Sequence, residues 1–115
     1  MDISTEKLFQ TVNVIAWDWC IRSFDGWTLR LSAGTSVEYS KPIVQFHGVT
    51  YLACPVEFSH PTFRLATTME RAEIALLVPL DQQDVVIIIE AETMAGLTPR
   101  KFSIVAESWT FSSDT

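Results

Sequence analysis

Alternation of apolar and polar residues near the start of the chain predicts two neighbouring β-strands. In the first stretch, over 14–22, the apolar face carries Ile15, Trp17, Trp19 and Ile21. In the second, over 27–33, it carries Trp27, Leu29, Leu31 and Ala33. Since successive side chains of a strand point to opposite faces, both strands are expected to be half-buried.

The loop between these strands is predicted from the register that keeps one face apolar. A two-residue loop at Asp25-Gly26 would set Trp19 opposite Ser32 and mix the two faces. A three-residue loop over 24–26, with Gly26 in the left-handed conformation, instead pairs apolar with apolar residues. The expected pairs are Ile21 with Leu29, Trp19 with Leu31, and Trp17 with Ala33.

The central stretch, residues 43–66, holds both histidines and two of the five prolines. A two-residue turn at His47-Gly48 gives a hairpin whose strands keep consistent faces. His47 would then need a positive φ, which histidine tolerates better than most residues. The prolines predict edge or bulged segments over 56–60 and 63–67.

A capping-box pattern, with Thr67 first and Glu70 three positions later, marks the start of a helix. We predict this helix over 68–77, because several strong helix formers follow the box. The competing interpretation is a strand over 74–78, which the apolar residues of that stretch would also allow.

Two further strands are expected in the C-terminal part of the chain. Residues 85–89 are five β-formers in a row, which predicts a strand covered on both faces. A loop over 90–99 precedes a long alternating strand, in which Trp109 falls on the polar face. The apolar face of that strand carries Phe102, Ile104 and Ala106.

These elements predict a single α+β domain over 1–115, built mainly from antiparallel strands. About six to eight strands would form a curved sheet or partly closed barrel, with one or two short helices. The second helix is expected over 3–11. A chain of 115 residues is long enough to bury a core without disulfides or metal.

Composition narrows the class of partner and the compartment. Eight basic residues against fourteen acidic ones give a net charge of −6, which argues against nucleic acid as a partner. The longest apolar run, over 74–80, is too short to cross a membrane, and the N-terminus lacks a signal-peptide pattern. With only Cys20 and Cys54, the chain is expected to be cytoplasmic and to keep both thiols reduced.

No stretch of the chain carries the pattern of a known reaction. His47, Cys54 and His60 are candidate metal ligands, but their separations of seven and six residues match no compact zinc-ligand pair. Cysteine catalysis would need a base beside Cys20 or Cys54, and neither lies in a glycine-rich elbow. We therefore expect no metal and no cofactor.

Three functions are compatible with this pattern. The leading interpretation is a non-enzymatic, acidic interaction module that binds a protein partner or forms a dimer through an unpaired strand edge. The first alternative is a carrier of small apolar ligands, with a pocket lined by Trp17, Trp19 and Trp27. The second is a small enzyme that uses His47 or His60.

An interaction rim is predicted from polar and aromatic positions around the central hairpin and near the C-terminus. Polar side chains at a hairpin are solvent-accessible, and an exposed aromatic residue provides rigid contact area at an interface. The residues assigned to this rim are Gln45, His47, Thr50, His60 and Trp109.

Overall fold

The structure, a computed structural model, describes residues 18–33, 44–93 and 96–111 of the chain. Within these ranges the chain forms eight strands and one helix, α1 (Thr68–Ala75). The strands are β1 (Asp18–Phe24), β2 (Thr28–Ala33), β3 (Val44–His47), β4 (Tyr51–Ala53), β5 (Glu57–Leu65), β6 (Val85–Thr93), β7 (Gly96–Ala106) and β8 (Ser108–Phe111). The helix predicted over 3–11 lies outside the described residues.

All eight strands belong to one antiparallel sheet, which is not closed and has the order β4-β7-β6-β5-β1-β2-β3-β8. The predicted α+β class, a curved, mainly antiparallel sheet with a short helix, is confirmed. The end strand β4 follows β3 along the chain after a short break, and the end strand β8 follows β7 in the same way. Across these breaks Glu107 N donates to His47 O at 2.9 Å and Thr50 N donates to Val105 O at 2.9 Å. The segments 44–53 and 103–111 therefore run side by side, and the sheet curls towards its own far edge.

The predicted register between β1 and β2 is wrong by two residues. Trp19 pairs with Ala33, and Ile21 pairs with Leu31. The difference arises at the turn, where the loop comprises 25–27 and a bulge lies between Ile21 and Ser23. Because a displacement of two residues preserves which face a side chain occupies, Trp19, Leu29 and Leu31 still lie on the predicted apolar face.

Asp25 explains why this loop forms one residue later than expected. Its Oδ1 accepts hydrogen bonds from Trp27 N at 2.9 Å and from Thr28 N at 2.8 Å. This side-chain turn leaves Gly26 at φ +92°, so its predicted left-handed conformation is confirmed. Trp27, however, lies in the loop and is 56% exposed, which corrects its assignment to the apolar face of β2.

The central hairpin predicted around His47-Gly48 does not form. Strand β3 lies between β2 and β8, while β4 pairs with β7. The positive φ belongs to Gly48, at +69°, and not to His47. Gly48 N and Val49 N both donate to Trp27 O, at 2.9 and 3.1 Å, and these bonds direct the chain past β2 instead of back along β3.

Proline predicts the irregularity of β5 but not its place in the sheet. Pro61 lies within β5, where the pairing with β6 shifts between Ser59 and Thr62. A bulge removes the need for a backbone donor, so this strand can lie between β6 and β1 rather than at an edge. His60, at the same irregularity, has φ +51°.

Two apolar clusters lie on opposite faces of β6, as predicted for a strand covered on both sides. Ile87 and Ile89 belong to the larger cluster on the inner face of the sheet, together with Trp19 and Phe46. Val86 and Ile88 belong to a smaller cluster on the other face, which α1 covers. The prediction of a long loop over 90–99 is wrong, because β6 extends to Thr93 and β7 begins at Gly96.

The helix predicted over 68–77 is confirmed, and the competing strand over 74–78 is wrong. Thr67 Oγ1 accepts a hydrogen bond from Glu70 N, and Glu70 Oε1 accepts one from Thr67 N, so the capping box is complete. The helix ends two residues earlier than expected, with Leu76 as its C-cap. Ile74 is buried and anchors α1 to the sheet.

Candidate functional site

The residues of the predicted interaction rim do not form one surface. Gln45 and His47 lie on β3 beside Trp109 on β8, and His47 Nε2 lies 3.3 Å from Thr110 Oγ1. Thr50 follows in the break between β3 and β4. His60 lies on β5, which β1 and β2 separate from β3, so it does not join Gln45 and His47. Trp109 does not join them either, because it packs on Phe46 on the opposite face of the sheet.

Trp109 was expected on the polar face of its strand, and this prediction is wrong. Its ring stacks on that of Phe46, with centroids 6.0 Å apart and an interplanar angle of 19°, and it packs against the larger core. The break at Glu107 changes the phase of alternation between β7 and β8. Trp109 therefore faces the same apolar interior as Ala106, although three positions separate them.

The tryptophans proposed to line a ligand pocket occupy different environments. Trp19 is 1% exposed and packs on Phe63, with ring centroids 5.1 Å apart. Trp27 is 56% exposed in the loop between β1 and β2. Trp17 lies outside the described residues. The role of these three residues in ligand binding stays a prediction.

The bulge on β5 brings His60 to a carboxylate that sequence spacing did not reveal. His60 Nδ1 lies 3.2 Å from Glu92 Oε1, and the neighbouring Ser59 Oγ donates to Asp18 Oδ1 at 3.0 Å. The pairing of Ser59 with Glu92 across β5 and β6 creates this proximity. An enzymatic role for His60 stays a prediction. Among the described residues, no group of three or more His, Cys, Asp or Glu side chains is arranged to hold a metal ion.

Both cysteines are free thiols whose surroundings disfavour the reactive thiolate. Burial raises the pKa of Cys54 to about 12. Burial is also the main cause that raises the pKa of Cys20, followed by the nearby charge of Glu57. A nucleophilic cysteine requires the opposite shift, so neither thiol is prepared for catalysis at neutral pH.

An ion cluster attaches α1 to the sheet. The Arg64 guanidinium donates to both carboxylate oxygens of Glu70, at 2.7 and 2.8 Å, and to Glu90 Oε2 at 2.8 Å. Lys101 Nζ donates to Glu70 Oε2 at 3.0 Å. The Arg64 hydrogen bonds, and next the Thr67 backbone N–H, hold the pKa of Glu70 well below its usual range. The sequence identified Glu70 only as a capping residue, because its other partners lie on different strands.

The helix α1 and the two residues that follow it carry large exposed apolar side chains. Met69, Leu76 and Leu77 are 73%, 86% and 66% exposed, and we call these three residues the helix patch. Met69 and Leu76 are seven positions apart, which places them on one side of a helix. Leu65, just before the helix, is also 43% exposed.

An acidic depression lies beyond the C-terminal end of α1. It has a volume of about 480 Å³ and is lined by Asp81, Gln83, Asp84, Glu107 and Ser108. Arg71 of α1 joins the helix to it, because its guanidinium donates to Asp84 O at 2.9 Å and to Asp81 O at 3.2 Å. Arg71 therefore ties α1 to the loop that forms one wall of the depression.

Comparison with known proteins does not add a function to this geometry. No protein-family model, no curated protein and no solved structure matches the chain. In the part of the chain that the structure describes, no helix is long and apolar enough to cross a membrane.

Proposed function

We propose that this protein is a non-enzymatic interaction module that binds a protein partner through the helix patch. The observation that carries the proposal is the exposure of Met69 on α1 and of Leu76 and Leu77 directly after it, each of them more than 60% accessible. Large exposed apolar patches mark protein–protein interaction sites more often than singly scattered apolar residues do. An apolar helix surface is also a common way to bind a groove or a second helix.

The helix patch is a better candidate than a strand edge for this contact. The end strands of the sheet, β4 and β8, comprise three and four residues. Short end strands offer few backbone groups for pairing with another chain and are a usual protection against it. We therefore propose that the contact forms at α1 and not at a strand edge.

The compartment we propose is the cytoplasm. Both cysteines are free, and thiols persist where glutathione keeps the environment reducing. The net charge of −6 suits a soluble protein of that compartment and favours encounter with basic partners over acidic ones.

Selection from a displayed library of helical peptides tests the proposal. The wild type serves as the target, and Leu76→Ser serves for counter-selection, because this change removes the most exposed apolar side chain without disturbing the core. We expect enriched peptides to bind the wild type with a Kd of about 10 μM or tighter. Their affinity for Leu76→Ser should be at least about fivefold weaker, which corresponds to roughly 1 kcal/mol.

Val56→Ser is the matched control, since Val56 is 66% exposed but precedes β5, away from α1. Peptides that bind Leu76→Ser and the wild type equally would contradict the proposal, as would the absence of any enriched peptide. Light scattering on the same samples distinguishes a second copy of the chain from a different partner. A dimer that dissociates on Leu76→Ser would indicate that the helix patch binds a second copy of the chain instead of a different protein.

A further inference from the structure

We infer that the protein partner of the helix patch is a second copy of this chain, bound across a two-fold axis beside α1. The inference rests on the proposed function and names the partner of the same contact. In such a dimer one face of α1 meets the identical face of the other copy, so both copies bury the same side chains.

The face of α1 that points away from the sheet is centred on Ala72. Glu70 and Ile74 are the buried residues of the helix. At about 3.6 residues per turn, each lies about 160° around the helix axis from Ala72, which therefore points in the opposite direction. Leu76, the C-cap, keeps helical backbone angles and extends this face. We call the exposed residues within about 60° of Ala72 the outward face. They are Thr68, Met69, Ala72, Ala75 and Leu76.

The outward face is electrically neutral. Its five side chains are one hydroxyl and four apolar groups. Arg71 and Glu73 lie about 100° to either side of Ala72, so the two flanks of the face carry opposite signs. A partner selected by charge would find no net sign to recognise here. A second copy needs none, because symmetry supplies the same neutral face on both sides of the contact.

The small residue at the centre of the outward face allows two helices to approach closely. Met69 and Leu76 lie three positions before Ala72 and four after it. The two large side chains are about 10 Å apart along the helix axis. Where the Ala72 residues of two copies meet, the larger side chains on both sides can interdigitate as ridges and grooves. The spacing i, i+3 and i+7 is also the pattern of paired helices.

The area of this surface suits a weak dimer. Met69 and Leu76 are 73% and 86% exposed, and Leu77, directly after them, is 66% exposed. Together with Ala72 and Ala75 they present roughly 500 Å² per copy, within the range of the largest apolar patch on a monomer. Two copies would then bury about 1,000 Å², the lower limit of a specific interface. We therefore expect a dimer that depends on concentration, with a Kd of about 100 μM.

Disulfide cross-linking tests the position of the contact. In a two-fold dimer centred on Ala72, that residue lies beside its own copy, within reach of a disulfide. We expect Ala72→Cys, treated with oxidised glutathione, to form a covalent dimer at least about tenfold faster than Val56→Cys. Val56 is 66% exposed but precedes β5, away from α1. The wild type, treated in the same way, gives the background from Cys20 and Cys54.

Sedimentation velocity from about 5 to about 500 μM tests the strength of the contact without a new thiol. We expect the wild type to shift from monomer to dimer over this range. Leu76→Ser should weaken the dimer at least about fivefold, and Val56→Ser should change its Kd less than about twofold. Leu76→Ser should also slow the cross-linking of Ala72→Cys by a similar factor.

The outcomes separate this inference from the proposed function. A dimer that weakens in Leu76→Ser and cross-links preferentially at Ala72→Cys supports the inference. A wild type that stays monomeric at about 500 μM, yet binds library peptides in a Leu76-dependent way, overturns the second copy and leaves the interaction module standing. A dimer that Leu76→Ser leaves intact, with equal cross-linking at Val56→Cys, places the contact elsewhere and also overturns the inference. A monomer that binds no library peptide overturns both proposals.

Discussion

At the scale of single residues, two glycines hold backbone conformations that other residues adopt at a cost. Gly26 has φ +92° and Gly48 has φ +69°. A Cβ added to Gly26 would meet no atom within 4 Å, whereas one added to Gly48 would lie 2.7 Å from Cγ of Glu107. Gly48, between β3 and β4, is thus packed against Glu107, between β7 and β8.

Substitution of these glycines should separate conformational cost from steric cost. We expect Gly26→Ala to lower the free energy of unfolding by about 1 kcal/mol, the penalty for a left-handed alanine. Gly48→Ala should cost more, about 2 kcal/mol, because Glu107 must also move. Chemical denaturation measures both changes.

Glu107→Ser provides the control for this comparison. Combined with Gly48→Ala, it should recover the steric part of the loss and leave the conformational part. Strict additivity of the two substitutions would show that the contact between Gly48 and Glu107 does not affect stability.

At the scale of elements, the position of α1 depends on the ion cluster as much as on its apolar contact. Ile74 packs on β6 and β7, while Glu70 joins the helix N-terminus to Arg64 on β5 and Lys101 on β7. The same carboxylate completes the capping box with Thr67. One side chain therefore links helix formation to helix docking, and its ionisation should control both.

The stability of the fold should fall in acid because of Glu70. Its carboxyl has a pKa well below the ordinary value of 4.5, so the stabilisation is complete above about pH 4.5 and decreases as pH falls towards the folded-state pKa. We expect Glu70→Gln to lower stability by about 1–2 kcal/mol at pH 7 and to flatten this acid dependence. The cost is limited because Arg64 retains Glu90.

Glu73→Gln is the matched control, since Glu73 lies on the same helix and is exposed. Denaturation midpoints measured from pH 7 down to pH 3 should follow the wild type for this variant. A wild-type slope that Glu70→Gln leaves unchanged would show that other carboxylates cause the acid dependence.

At the scale of the whole molecule, one sheet supports two apolar layers of unequal size. The larger layer lies on the inner face and includes Trp19, Phe46 and Phe63, and the smaller layer lies beneath α1. Cys54 packs at the margin of the larger layer, which is why its thiol is poor at ionising. The reactivity of this thiol should therefore report on the integrity of the folded molecule.

Thiol labelling at pH 8 should proceed much more slowly at Cys54 than in the unfolded chain. Raising the pKa from 9.0 to about 12 lowers the thiolate fraction by about a thousandfold, and only the thiolate reacts. Measured on a Cys20→Ser background, labelling should accelerate in parallel with global unfolding. Labelling of native Cys54 at the rate of a free thiol would contradict the raised pKa.

The strand and helix patterns explain how much of this fold a single sequence predicts. Alternation identified the apolar faces of β1 and β2, the run 85–89 identified a strand covered on both sides, and the capping box identified α1. These features depend on local periodicity and on hydrogen bonds between near neighbours, so the sequence alone determined them.

Tertiary structure decided the partners of each strand and the composition of the surface. His47-Gly48 has the spacing of a hairpin, but bonds to the distant Trp27 carbonyl carry the chain onward, and the break at Glu107 turns Trp109 inward. Likewise, the lining of the acidic depression comes from residues far apart in sequence, Asp84 and Glu107 among them. Contacts between residues remote in sequence leave no local period, and so only the folded chain brings the candidate site together.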